Sequence, residues 1–308
     1  MTHLDGATLV VVGAASRDVD GADPRGWRLG GSVTYCSMAA ARLGLRVRAL
    51  IGADDAAAAA WELDVLRRAG VEIRLVALGR GPVFENRAVG GGRIQFCVQP
   101  GDSLPAGALP AAWRAAPALM LVPVAAELEE SWADVARPTA LVALGWQGLL
   151  RRLVAGREVE PLPLRPGRLL ERADLVVLSA EDAAAGGPPL HELLNRPGQQ
   201  LAVTHGYRGA IHVERTCDLR RPLRFRRLPA IRSAGASDAT GAGDVFLAAW
   251  CAARLCAPAS AADQWRQLAV ATAAGSATVE LTSLADLPRV ADLRRRLLRR
   301  QAREEGLA

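Results

Sequence analysis

Seven consecutive residues, Asp238-Ala239-Thr240-Gly241-Ala242-Gly243-Asp244, lead straight into the apolar run Val245-Phe246-Leu247-Ala248-Ala249-Trp250. Small residues ahead of such a run predict a helix that starts close to Gly243. A helix start carries unpaired N–H groups and a partial positive charge, so it attracts anions. A site for anions alone has no use for an aspartate inside it. Asp244 therefore reads as a proton acceptor, since a free carboxylate with a pKa of ~4 is ionised at neutral pH. Gly241, Ala242 and Gly243 read as the backbone donors that steady developing negative charge. Together these are the parts needed to move a phosphoryl group onto a hydroxyl. Standing alone, Asp244 would do no more than favour the helix dipole.

The same residues resemble the C-terminal signature of the PfkB/ribokinase-like carbohydrate kinases, D-[TP]-x-G-A-G-D-x-F. Ala239 is the one departure, Thr or Pro being usual there. A second family feature stands near the N-terminus, where Gly30-Gly31 opens a helix ending in Ala40-Ala41-Arg42-Leu43-Gly44. The order and spacing of the two motifs extend the resemblance over nearly the whole chain. It implies an α/β, ribokinase-like three-layer sandwich with a central, mostly parallel sheet and a small β-sheet lid. Residues 1–308 would form one kinase domain, with the lid drawn from about 16–30 and 78–100. Asp244 would be the catalytic base, with Gly241, Ala242 and Gly243 as the anion hole.

The resemblance also implies ATP and magnesium as cofactors and leaves a monovalent-cation requirement open. Thr204-His205-Gly206-Tyr207-Arg208-Gly209-Ala210 resembles the family's T-x-G-x-x-G segment. That places Thr204, Gly206 and Gly209 on the nucleotide side, with Asp238 and Thr240. Ser179-Ala180-Glu181-Asp182 stands where N-x-x-E is usual, which implies Glu181 and Asp182 near magnesium. The residues themselves equally fit a serine N-cap followed by an acidic first turn. For the acceptor, the resemblance singles out Asp18, Gly30 and Gly31. Tyr35 stands where ribokinase-like members have an asparagine, which argues against ribose itself. Tyr35, Phe84-Glu85-Asn86 and Gly92-Arg93-Ile94-Gln95 are similar to a subgroup that includes plant myo-inositol kinases. Asn86 and Gln95 would then touch a small polyhydroxylated substrate from the lid, although polar residues on an edge strand are the plain alternative. A nucleoside kinase of the same fold, or a non-catalytic sugar-binding relative, would share these motifs. Lid strands in this family often pair between subunits, which makes a homodimer an expectation.

Composition narrows the field further. All 38 basic residues are arginine, so neither a P-loop lysine nor a Schiff-base lysine exists. Phosphate charge must be met by backbone N–H groups, arginine or a metal. The net charge is +6, with arginine clusters at 220–227 and 294–300. Neither cluster carries the repeated aromatic interleaving that stacks on bases, so solvated faces are expected and no nucleic-acid partner. The five cysteines are scattered without a C-x-x-C, as suits reduced thiols in a cytoplasm. The first residues lack the order of a signal peptide, and no run approaches the ~20 apolar residues of a membrane span. A cytoplasmic location without membrane attachment is expected.

The elements that must position these residues follow from hydrophobic patterning. Short apolar runs at 8–13, 47–51, 73–77, 118–122, 139–144, 175–178 and 200–204 predict strands. Helices are predicted over 32–43 and 56–69, and two buried helices over 245–255 and 262–279. Such alternation argues for a parallel sheet covered on both faces. Residues 80–99 break it, with alternating segments around Gly90-Gly91-Gly92 that predict antiparallel strands and a glycine turn.

Overall fold

The computed structural model describes residues 7–89, 92–231 and 240–256, with scattered positions between 267 and 287. The chain begins with β1 (Thr8–Ala14), in which Leu9, Val10, Val11 and Val12 are all buried. Then come β2 (Ser16–Val19), β3 (Trp27–Gly30), helix α1 (Ser32–Arg42), β4 (Arg46–Ala53), the short helices α2 (Asp55–Ala58) and α3 (Glu62–Arg68), and β5 (Glu72–Ala77). They are followed by β6 (Val83–Val89), β7 (Gly92–Gln99), β8 (Ala118–Leu121) and β9 (Leu141–Gly145). The very short strands β10 (Arg151–Arg152), β11 (Arg157–Glu158) and β12 (Glu160–Pro161) precede α4 (Arg168–Arg172) and β13 (Leu175–Ser179). The described chain continues through α5 (Ala180–Ala183), α6 (Leu190–Leu193), β14 (Gln200–Thr204), β15 (Ala210–Arg215), β16 (Leu223–Leu228) and α7 (Ala242–Cys256).

Nine described strands form the main sheet in the order β16-β15-β14-β13-β9-β8-β1-β4-β5. From β14 to β5 every pairing is parallel; β15 and β16 close one edge as antiparallel strands. Alternate side chains of a strand face opposite ways, so β1 feeds two cores. Leu9 and Val11 join the core under α1, α3 and α7, while Val10 and Val12 join the core on the other face. The result is the three-layer α/β arrangement that the sequence pattern implies.

The two faces are covered differently. On the second face the cover is made of 3-10 turns at Ala106–Ala108, Ala111–Trp113 and Glu130–Asp134, with the short helices α4 and α6. Prolines 105, 110, 161, 163 and 166 break that part of the chain, because proline removes a helix donor and clashes with the preceding turn. Buried Trp113 and Trp132 supply the bulk that longer helices would otherwise provide.

Two expectations need correction, and a third lies partly outside the described residues. The predicted helix 56–69 is two helices, α2 and α3. Asp54 caps α2 by accepting from Ala57 N at 2.9 Å, and Trp61 starts a new turn. The arginine-rich stretch 220–227 contains β16, which its alternating charges concealed; Phe225 stands exposed within it. Arginines on an edge strand discourage pairing with another chain. Of the predicted helix 262–279, residues 267, 268, 270–272, 274, 275 and 278 are helical and the rest lie outside the described residues. Gly90, Gly91, the 294–300 arginine cluster, Asp238 and Ala239 also lie outside them.

A smaller sheet, order β11-β7-β6-β2-β3, stands apart from the main one. Residues 157–158 add a strand that the sequence did not foretell. The β2–β3 end is pinned to the body. Arg25 bridges Asp23 and Glu62 at 2.9 and 2.5 Å while lying over the Trp27 ring, and Arg17 meets Asp54 at 2.7 Å. These pairs are partly withdrawn from water, where bidentate arginine geometry counts most.

Gly148, in the turn Trp146–Leu149 after β9, fits only because it lacks a side chain. A Cβ there would strike the Pro123 carbonyl. Gly148→Ala should lower unfolding free energy by about 3 kcal/mol in urea titrations, the scale of core overpacking. A loss under 0.5 kcal/mol would show that the turn relaxes freely.

Candidate active site

Two helix starts meet at the carboxyl ends of the parallel strands, where ligands bind in open α/β sheets. The first is α7. Gly241 has φ +77, the left-handed region that favours glycine, and its carbonyl accepts from Val245 N at 2.9 Å. A Cβ on Gly241 would run into the ring of Tyr35, so the glycine is required for close approach as well as for conformation. The amides of residues 242–244 are the first of the helix and lack intrahelical acceptors by geometry.

The second start is α1. Gly31, at φ +95, caps it, and a Cβ there would lie 2.5 Å from the Ala14 carbonyl. Thr34 Oγ1 donates to the Gly31 carbonyl at 2.7 Å and stiffens the turn. Buried Asp18 lies against Gly30, where a Cβ would come within 2.5 Å of Oδ2, and Ser16 Oγ donates to its Oδ1 at 3.1 Å. Asp18, Gly30 and Gly31 thus form one corner, and α1 carries Tyr35 from that corner to Gly241.

Asp244 sits in the first turn of α7, partly exposed. Withdrawal from water pushes its carboxyl up to about 6; a hydrogen bond from Ser32 and the charge of Arg151 pull the other way without cancelling the effect. Cys36 donates its thiol to the Asp244 carbonyl at 3.4 Å, and burial pushes that thiol well up, so it stays protonated.

Asn86 and Gln95 face each other across β6 and β7. Parity places them on the same face as buried Phe84 and Cys97, the inner face of the small sheet. Gln95 Nε2 donates to Asn86 Oδ1 at 3.1 Å, and Arg151 Nη1 donates to Gln95 Oε1 at 3.0 Å. Through Arg151 both residues connect to Asp244.

The remaining predicted residues stand one or more strands away. Ser179 and Thr204 are paired neighbours at the ends of β13 and β14. Ser179 and Asp182 form a reciprocal cap: Ser179 N and Oγ donate to Asp182 Oδ2 at 3.0 and 2.6 Å, and Asp182 N donates to Ser179 Oγ at 3.0 Å. Glu181 is exposed beside them. Gly206 and Gly209 adopt φ +53 and +92, and Gly209 is needed because a Cβ would strike the Leu228 carbonyl. Thr240 adjoins Gly241, while Asp238 lies outside the described residues.

Solved structures match this arrangement along almost its full length. A pyrophosphate-dependent kinase in the ribokinase family, complexed with a pyrophosphate analog and myo-inositol, is 18% identical and covers 93% of this chain and 99% of its own, at TM-score 0.69. A fructokinase with bound ATP from Xylella fastidiosa is 18% identical over 96% of this chain and 99% of its own, at TM-score 0.71. Ribokinase from Thermotoga maritima is 17% identical over 95% and 99%, at TM-score 0.65. The fold is that of the ribokinase family. No protein-family model and no curated protein sequence matches the chain.

Three residues that the sequence reading missed belong to this ribokinase-fold site. Ser32 and Arg151 act on Asp244. Glu127 is buried and accepts from Ala14 N at 2.8 Å, Val124 N at 3.0 Å and Ala125 N at 2.8 Å. It fastens the end of β1, and with it the carbonyl on which Gly31 rests. An acid inside the apolar stretch Pro123-Val124-Ala125-Ala126-Glu127-Leu128 was its only signal.

A raised Asp244 pKa makes a stability prediction. A carboxyl raised in the folded state stabilises most below its unfolded pKa of 3.8, and that contribution is lost as pH rises through about 6. Asp244→Asn should therefore be more stable than wild type at pH 8, on the order of 2 kcal/mol, with the difference vanishing towards pH 4. Denaturant titrations at both pH values test this; a variant less stable at pH 8 would refute a desolvated Asp244.

Proposed function

We propose that this protein is a kinase that transfers the terminal phosphoryl group of ATP to a hydroxyl of a small sugar or polyol. One observation supports the reading: α1 starts beside the corner of Asp18, Gly30 and Gly31, and its Ser32 and Tyr35 reach Asp244 and Gly241 at the start of α7. In the reaction, Asp18 grips acceptor hydroxyls, and the glycine backbone of Gly30-Gly31 lets the acceptor approach closely. Asp244 takes the proton of the attacking hydroxyl as the bond to phosphorus forms. The amides around Gly241, Ala242 and Gly243 hold the charge on the moving phosphoryl oxygens, already oriented before the reaction begins. The small sheet serves as a lid, with Asn86 and Gln95 on its inner face, and keeps water from competing as acceptor.

Thr204, Gly206, Gly209, Asp238 and Thr240 line the nucleotide side in this reading. Magnesium, when bound, neutralises donor phosphate charge, and it needs only one or two carboxylates besides phosphate and water oxygens. Glu181 is exposed to meet it. Asp182 spends Oδ2 on its cap and would offer the ion its other oxygen. Ring-bearing Tyr35 and the lid amides favour a compact, multiply hydroxylated acceptor, and the similarity to a structure holding myo-inositol adds cyclitols to the candidates. That neighbour's pyrophosphate dependence makes pyrophosphate the second donor to test. Val19 and Val98 stand exposed on the lid strands, a surface suited to a second copy of the chain.

Sugars, cyclitols and nucleosides offered with ATP or pyrophosphate should give product with a hydroxylated acceptor. Asp244→Asn should keep donor binding and lose turnover by roughly 10²–10⁴-fold. Wild-type kcat should fall as pH drops through about 6, since the base is then protonated. Undiminished turnover in Asp244→Asn would refute the assigned role.

A further inference from the structure

Arg151 lies on a segment attached to both parts of the molecule. Its entry is the turn Trp146–Leu149, wedged against Pro123 at Gly148. Its continuation is laced along the lid: Gly156 N donates to the Cys97 carbonyl and Val159 N to the Gln95 carbonyl, both at 2.8 Å, and β11 pairs with β7. The guanidinium itself reaches Gln95 Oε1 at 3.0 Å on one side and acts on Asp244 on the other. We propose that Arg151 is a positioning residue that ties the inner face of the small sheet to Asp244, so that the base is set for reaction only while that sheet lies over the cleft. The proposal rests on the kinase reading of Asp244 and extends it to the control of that base.

The argument is one of geometry and charge. Moving β7 away from the body must separate Arg151 from Gln95 or draw Arg151 away from Asp244. An arginine fork is planar and rigid, so one guanidinium can hold both directions at once. Among the described residues that act on Asp244, Ser32 and Cys36 come from α1 and Arg151 from β10. Ser32 is uncharged and Cys36 stays a thiol, so the charge that adjusts the carboxylate is that of Arg151. The Arg151–Gln95–Asn86 chain also fixes which amide atoms face each other: Gln95 turns its oxygen to Arg151 and its NH2 group to Asn86. Lid position, amide orientation and base environment are thereby linked.

The test uses the full chain with 13C-labelled aspartate, Asp244 being assigned from Asp244→Asn. Arg151→Met removes the charge and keeps the stem; Gln95→Leu removes the lid acceptor without touching Asp244. Arg151→Met should raise the Asp244 titration by about one unit, as loss of a nearby opposite charge does. Gln95→Leu should raise it by less, because it releases Arg151 without removing it. The acid limb of kcat should move in step with each titration. Folding of both variants is verified by their unfolding transitions. An unmoved titration in folded Arg151→Met overturns the proposal, and so does a shift in Arg151→Met with none in Gln95→Leu, because the lid would then play no part. If no acceptor is phosphorylated, the kinase reading fails while the titrations still decide this one.

Discussion

A carboxylate removed from water is costly to ionise, and the protein has placed one at the start of a helix, where the Ser32 side chain and an arginine lower that cost only in part. Much of the architecture serves this placement. Gly241 must be left-handed and bare so that Tyr35 can lie against it. Helix α1 must begin at Gly31 so that Ser32 reaches Asp244 and Tyr35 reaches Gly241. Gly31 in turn rests on the Ala14 carbonyl at the end of β1, which buried Glu127 fastens. In the proposed reaction, a base poised near neutrality is what proton abstraction from an alcohol needs, and a stability cost at such a site is common.

The sheet supplies a rigid floor and the small sheet an adjustable roof. Parallel strands with both faces buried hold the ends of β1, β8 and β9 in fixed register. The small sheet is fastened firmly at β2–β3 by Arg25 and Arg17, and at its other side by the segment from Arg151 to Val159. Between these two fastenings lie β6 and β7, the strands that carry Asn86 and Gln95. In the proposed reaction, the fixed corner would hold the acceptor and the strands of the small sheet would lie over it.

What could be read from the sequence was what is encoded locally. The run Gly241-Ala242-Gly243-Asp244 followed by apolar residues announced α7 and the glycine turn that opens it. Continuous apolar runs such as Leu175-Val176-Val177-Leu178 announced buried parallel strands. Strand β16 escaped because its alternation places Arg224 and Arg226 on one side of an edge, a pattern that looks like a solvated charge cluster. The break between α2 and α3 escaped because the alanines at 56–60 fit a helix well; α2 nevertheless ends at Ala58, and Trp61 opens α3. Arg151 and Ser32 belong to no motif. Their roles arise only when β10 and α1 converge on α7 from 93 and 212 positions away in the chain.

The most direct test is a crystal structure with an accepted polyol and a non-transferable donor analogue bound together. The account predicts the reacting hydroxyl within about 3 Å of an Asp244 carboxylate oxygen, with terminal phosphate oxygens facing the amides of residues 242–244. An acceptor seated elsewhere, or a terminal phosphate turned away from those amides, would contradict it.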